Sequence, residues 1–143
     1  MKPTDLALNS ALGMREAPAG AAHILELPDS PLLKNHVGTM HAAAQFALAE
    51  SASGACLQRQ FPKLADKVIA VVRQATVKYR KPATGDLFAF AEVDETTRTK
   101  LEENLKTRPV AQALVNVSLK DARGTVTLTA SFEWFLVRRT DST

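Results

Sequence analysis

The chain has 143 residues, 45% of them hydrophobic and 23% charged, with a formal net charge of +3. That length fits one domain able to bury a core without metal or disulfide staples. The charge is too mild to demand a nucleic-acid partner, no apolar run approaches the roughly 18–20 residues that span a bilayer, and a lone cysteine excludes an intrachain disulfide.

In chain order, Met1-Lys2-Pro3-Thr4-Asp5 carries an acidic residue and no compact apolar stretch follows it. A secretory leader is therefore not expected, and a cytoplasmic location is. Pro3 to Met14 reads as a short helix, with Leu6, Leu8 and Leu12 apolar and Gly13 near its end; Ala17-Pro18-Ala19-Gly20 breaks it. His23 to Leu27 is a short strand candidate, stopped by the turn chemistry of Pro28-Asp29-Ser30-Pro31.

From His41 the chain is rich in alanine, free of proline and apolar on nearly all sides, up to the boundary at Pro62. A helix of that kind is buried. About 17 residues, or roughly 25 Å, suits the axis of a small domain. Cys56 lies in this stretch among Ala52, Gly54, Ala55 and Leu57, as a small buried thiol would.

The period then changes from helical to alternating. Val68 to Arg80 and Leu87 to Val93 read as strands joined by a turn at Pro82–Asp86, and Thr96 to Lys106 as a short helix or irregular excursion. Val110 to Lys120 and Thr125 to Val137 are the last strands, joined by a tight hairpin at Asp121–Gly124. In the final strand Val126, Leu128, Ala130, Phe132, Trp134 and Leu136 share one face, so one side lies on a core. The layout is α+β: one curved antiparallel sheet around one long central helix. Residues 1–21 form an N-terminal helix and lead-in, 22–138 the core of a single domain, and 139–143 a tail.

Glu50 stands at the middle of the apolar helix, flanked by Ala47, Leu48, Ala49 and Ala52. A carboxylate buried there must be hydrogen-bonded, have a raised pKa or line a pocket. The bland alternative places it on a thin solvent-facing polar stripe with Ser53 and Gly54. The preceding loop, Asn35-His36-Val37-Gly38-Thr39-Met40-His41, brings polar groups and a glycine to the helix N-terminus. Unpaired N–H groups at that end suit a carbonyl oxygen that gains charge. Glu50 lies roughly 12–13 Å along the axis from Ala42, so within one chain it cannot reach that spot. Two copies with antiparallel helices would bring them together.

Asn35-x-x-Gly38-Thr39-x-His41 followed by Glu50 resembles the hotdog-fold thioesterases of the phenylacetyl-CoA and 4-hydroxybenzoyl-CoA type, and among them the thioesterase-like DUF4442 branch. Those proteins read N-x-x-G-x-x-H-G-G, with an Asp or Glu seven residues after the second glycine, where Glu50 stands. The Tyr79-Arg80-Lys81-Pro82-Ala83-Thr84-Gly85-Asp86 corner is also similar to theirs. The resemblance implies a hotdog fold and a thioester hydrolase with Glu50 as nucleophile or general base. It further implies that Asn35 orients substrate or water, that the Ala42 backbone N–H polarises the carbonyl, and that His41 belongs to the same catalytic group. His41 also reads locally as a helix-start residue. Ala42-Ala43 departs from the family's Gly-Gly: the donor survives, and the added methyl groups narrow the approach.

The substrate contacts expected are His36, Gly38, Thr39, Phe46, Arg80 and Lys81, with the acyl chain bounded by residues such as Phe46 and Phe90. The substrate is a small-molecule acyl thioester whose coenzyme A moiety is part of it. No separate cofactor, metal, nucleic acid or membrane is expected, and a homodimer or homotetramer is. Two alternatives stand beside hydrolysis. His36, fourteen residues before Glu50, matches the spacing of hotdog dehydratases, although Ala44-Gln45 replaces their Pro-Gly. The Ala42-Ala43 departure also fits a non-catalytic acyl-thioester binder.

Overall fold

A computed structural model describes residues 1–140. A single 3-10 turn (Pro3–Asp5) precedes α1 (Ala7–Leu12), so the expected N-terminal helix is broken at Leu6, whose backbone is extended. Two short strands follow, β1 (Arg15–Glu16) and β2 (Leu25–Leu27). The central helix α2 (Ala42–Gln60) comes next, then β3 (Val68–Tyr79), β4 (Leu87–Val93), α3 (Glu95–Thr107), β5 (Val110–Lys120) and β6 (Val126–Arg138). Of the expected 139–143 tail, residues 141–143 lie outside the described residues.

Local chemistry sets these boundaries. His41 caps α2, its Nδ1 accepting from the Ala43 N–H at 3.0 Å. At the other end Phe61 leaves the helical region before Pro62, which cannot continue a helix. Asp94 caps α3 through the Thr97 N–H, and Thr97, Leu101 and Leu105 give that helix one buried stripe. In the final hairpin the Asp121 carboxylate accepts from the N–H groups of Arg123 and Thr125, and Gly124 supplies a positive φ of 83°.

The six strands make one antiparallel sheet in the order β1-β2-β4-β5-β6-β3. On its inner face Leu87, Ala89, Val115, Leu119, Leu128 and Phe132 are fully buried, and Leu48, Ala49 and Ala52 of α2 are too. Burying one such leucine is worth about 1.5–3 kcal/mol. This is the hotdog arrangement expected from the sequence.

The sheet is wider than the helix that covers it. α2 packs chiefly on β4 and β5 and only marginally on β6, while β3 extends beyond it. β3 is therefore an edge strand of 12 residues, with β6 as its sole neighbour among the described residues. Ile69 and Val71 are 54% and 52% exposed on it. Its register shifts between Val72 and Gln74, where a bulge bends the strand.

Candidate functional site

The uncovered margin of α2 runs along Ala42, Phe46, Glu50 and Gly54, residues four apart that fall on one stripe of the helix. β6 and β3 touch it at Ala42, Phe46 and Gly54. The Tyr79 hydroxyl donates to the Ala42 carbonyl at 3.1 Å, and Phe46 meets Phe132 edge to face at 5.6 Å. Gly54 lies so close to the Trp134 ring that an added Cβ would stand 3.2 Å from it. That approach, not a turn, is why a glycine suits this point of the helix.

Glu50 sits between Phe46 and Gly54 and lines a cavity of about 370 Å³ between α2, β3 and β6. The other walls there include Phe61, Val68, Trp134 and Leu136. Removal from water pushes the Glu50 carboxyl above the usual range, and a hydrogen bond from the Ser51 side chain opposes this in part. The carboxylate is thus half-buried against an apolar cavity, as the pocket-lining reading requires. The solvent-stripe alternative does not hold, because Ser53 is fully buried. Its hydroxyl accepts from Trp134 Nε1 at 3.0 Å and donates to the Glu50 carbonyl at 2.7 Å. This Trp134–Ser53 bond fixes the helix over β6 beside the acid, and nothing in the sequence linked the two positions.

The loop before α2 is bound mostly to itself. Asn35 Oδ1 accepts from the N–H groups of Val37 and Thr39, at 3.1 and 3.0 Å, and Asn35 Nδ2 donates to Thr39 Oγ1 at 2.8 Å. Gly38 closes the turn with a φ of 81°. Asn35, Gly38 and Thr39 therefore form one closed unit, with His36 exposed at its tip. The structure does not bring this unit to Glu50 of the same chain. His41 is exposed and spends its Nδ1 on Ala43, which leaves Ala42 at the first helical position, where N–H groups lack intrahelical partners.

Arg80 and Phe90 stand elsewhere. Both line a groove on the outer face of the sheet with Lys78, Thr129 and Ser131, and Arg80 Nε donates to Thr129 Oγ1 at 2.8 Å. Phe90 therefore does not bound the cavity at Glu50. In β4 the inward positions are Leu87, Ala89 and Val93, and the phenylalanines Phe88 and Phe90 point the other way, where Lys120 Nζ lies 4.6 Å from the Phe90 ring. Lys81 is exposed beyond the end of β3, its N–H bonded to Thr127. Cys56 is buried, and burial pushes its thiol pKa up, which makes it a packing residue. Among the described residues no helix is long and apolar enough to cross a membrane.

A family described as a domain of unknown function, DUF4442, matches residues 15–136. The chain belongs to the DUF4442 family. Solved structures share its fold. A Pseudomonas aeruginosa protein of unknown function, described as a probable thioesterase, is 26% identical with a TM-score of 0.81 over 96% of this chain and 91% of its own. A Bacillus halodurans protein whose crystal structure holds CoA is 21% identical, with a TM-score of 0.71 over 91% of this chain and 75% of its own. A variant of a thioesterase enzyme from Staphylococcus aureus is 16% identical, with a TM-score of 0.71 over 92% and 99%. The last two show the shared fold. No curated protein matches the sequence.

Proposed function

We propose that this DUF4442 protein hydrolyses acyl-CoA-type thioesters, with Glu50 as the general base and the site shared between two copies of the chain. The observation that carries the reading is a single carboxylate on an otherwise apolar stripe, its pKa raised by the cavity it lines. A base of raised pKa takes a proton from water more readily than an ordinary carboxylate does. Water then adds to the thioester carbon, and the carbonyl oxygen becomes an oxyanion. The partner subunit's Ala42 N–H, at the positive end of α2, would hold that charge. Collapse of the intermediate breaks the C–S bond, and Glu50 returns its proton to the departing thiolate.

The sharing of the site rests on the sheet's overhang. The free edge of β3 and its exposed apolar residues offer backbone pairing to a second copy. That copy would also bring its Asn35 unit to the acid, which this chain alone does not. The similarity to a protein described as a probable thioesterase, and to one holding CoA, supports the substrate class. The test is thiol release from a panel of acyl-CoA esters. Glu50→Gln should slow turnover about 10²–10⁴-fold with the fold retained. The wild-type rate should climb with pH through a pKa above the usual carboxylate range, because the base must be ionised. Unchanged turnover in the variant ends the proposal. Ligand-dependent stabilisation without turnover by the wild type would point instead to the non-catalytic binder that Ala42-Ala43 also fits.

A further inference from the structure

Resting on the hydrolase reading and extending it, we infer that the N-terminal segment Met1–Asn9 forms an end wall of the acyl site and sets the chain length accepted. The cavity at Glu50 is also lined by Gly54, Phe61 and Leu101, and Pro3, Leu6 and Asn9 supply part of its lining from outside the helix–sheet core. The segment is folded on itself and held to β1 and α2. Asn9 is buried and its Nδ2 donates to the Pro3 carbonyl at 2.9 Å, the Lys2 N–H donates to Asp5 Oδ2 at 3.0 Å, and Thr4 Oγ1 reaches Glu16 Oε1 at 3.3 Å.

The residue so held contributes little to the core. Leu6 keeps 49% of its surface exposed, and it borders the same space as Glu50. Its extended backbone is the break between the 3-10 turn and α1, and that break positions the side chain at the cavity. The space of about 370 Å³ is walled mainly by aliphatic and aromatic groups. A saturated acyl chain entering that space would meet the N-terminal segment as one of its walls. Lys2 and Arg139 also line it, and their stems can cover apolar surface while the charges remain in water.

The experiment measures kcat/KM on a ladder of saturated straight-chain acyl-CoA esters from butanoyl to palmitoyl. The wild type should gain about fourfold per buried methylene up to a cutoff and lose activity beyond it. Leu6→Ala should move the optimum to longer chains by about two to three carbons, since the change removes three side-chain carbons. Leu6→Trp should move it to shorter ones, and Asn9→Ala, which removes the bond folding the segment on itself, should blunt the cutoff. An unchanged optimum in both Leu6 variants, with turnover intact, overturns the inference and leaves the hydrolase reading standing. If no ester is turned over, the same ladder of free fatty acids is followed by thermal shift. A length dependence that moves with the Leu6 variants then upholds the wall while hydrolysis falls. Thermal shifts indifferent to chain length overturn the wall as well.

Discussion

The two flanks of α2 are built for different purposes. Toward β4 and β5, Leu48, Ala49 and Ala52 are fully buried in close packing. Toward β6 and β3, Glu50 and Gly54 line the cavity, and Phe46 keeps 36% of its surface exposed. The usual amphipathic helix separates core from water; this one separates core from cavity. Stability is concentrated on the closed flank, which frees the open flank to hold a carboxylate that packing alone would reject. That division predicts that changes on the two flanks have separable consequences.

The sharpest way to break the comparison is on the closed flank. Leu48→Ala should cost about 2–5 kcal/mol in denaturant unfolding, because the surrounding strands cannot collapse into the space. Turnover per folded molecule at low temperature should change far less. A large loss of activity with stability intact would mean that chemistry reaches across the helix.

The open flank should instead be sensitive to assembly. Val71 and Thr76 are exposed on the free edge strand, so lysines there meet water in a single copy. Like charges across a strand pair destabilise it, and edge lysines are a common defence against pairing. Val71→Lys with Thr76→Lys should halve the mass seen by light scattering and lower thiol release in proportion to the dimer lost, with the unfolding midpoint of the monomer little altered. A monomeric variant that keeps full activity would place the whole site within one chain.

The same division explains what the sequence made legible. β4 and β5 coincide with the segments read from alternation, and β6 falls within a residue of its expected bounds, because one buried face imposes period two. The central helix ends at Gln60, just short of the boundary set by Pro62, because proline cannot continue a helix. β1 escaped notice since a two-residue strand exists only through its pairing with β2. Glu50 was visible because a carboxylate among alanines is out of place. The burial of Ser53, which the solvent-stripe alternative did not anticipate, depends on Trp134, 81 residues away. Phe90 misled through its size: in β4 the small Ala89 faces the core and the phenylalanine does not. The N-terminal contribution to the cavity depends on tertiary folding alone.

The smallest expected effect tests the electrostatic side of the comparison. Burial raises the Glu50 pKa above its unfolded value, so the native state binds the proton more tightly than the unfolded chain does. The stabilisation this brings is fully present below the unfolded pKa and is lost as pH rises through the folded one. At neutral pH the ionised side chain therefore weighs against the fold. Glu50→Gln keeps the size, removes the charge and should raise Tm modestly at pH 7, by a few degrees at most, since the group is only half-buried. The gap between variant and wild type should close as pH falls toward the ordinary carboxylate range. Thermal melts across that range decide it. A variant less stable than the wild type at every pH would show that Glu50 holds the helix in place, and the open flank would then share the structural burden assigned to Leu48 and its neighbours.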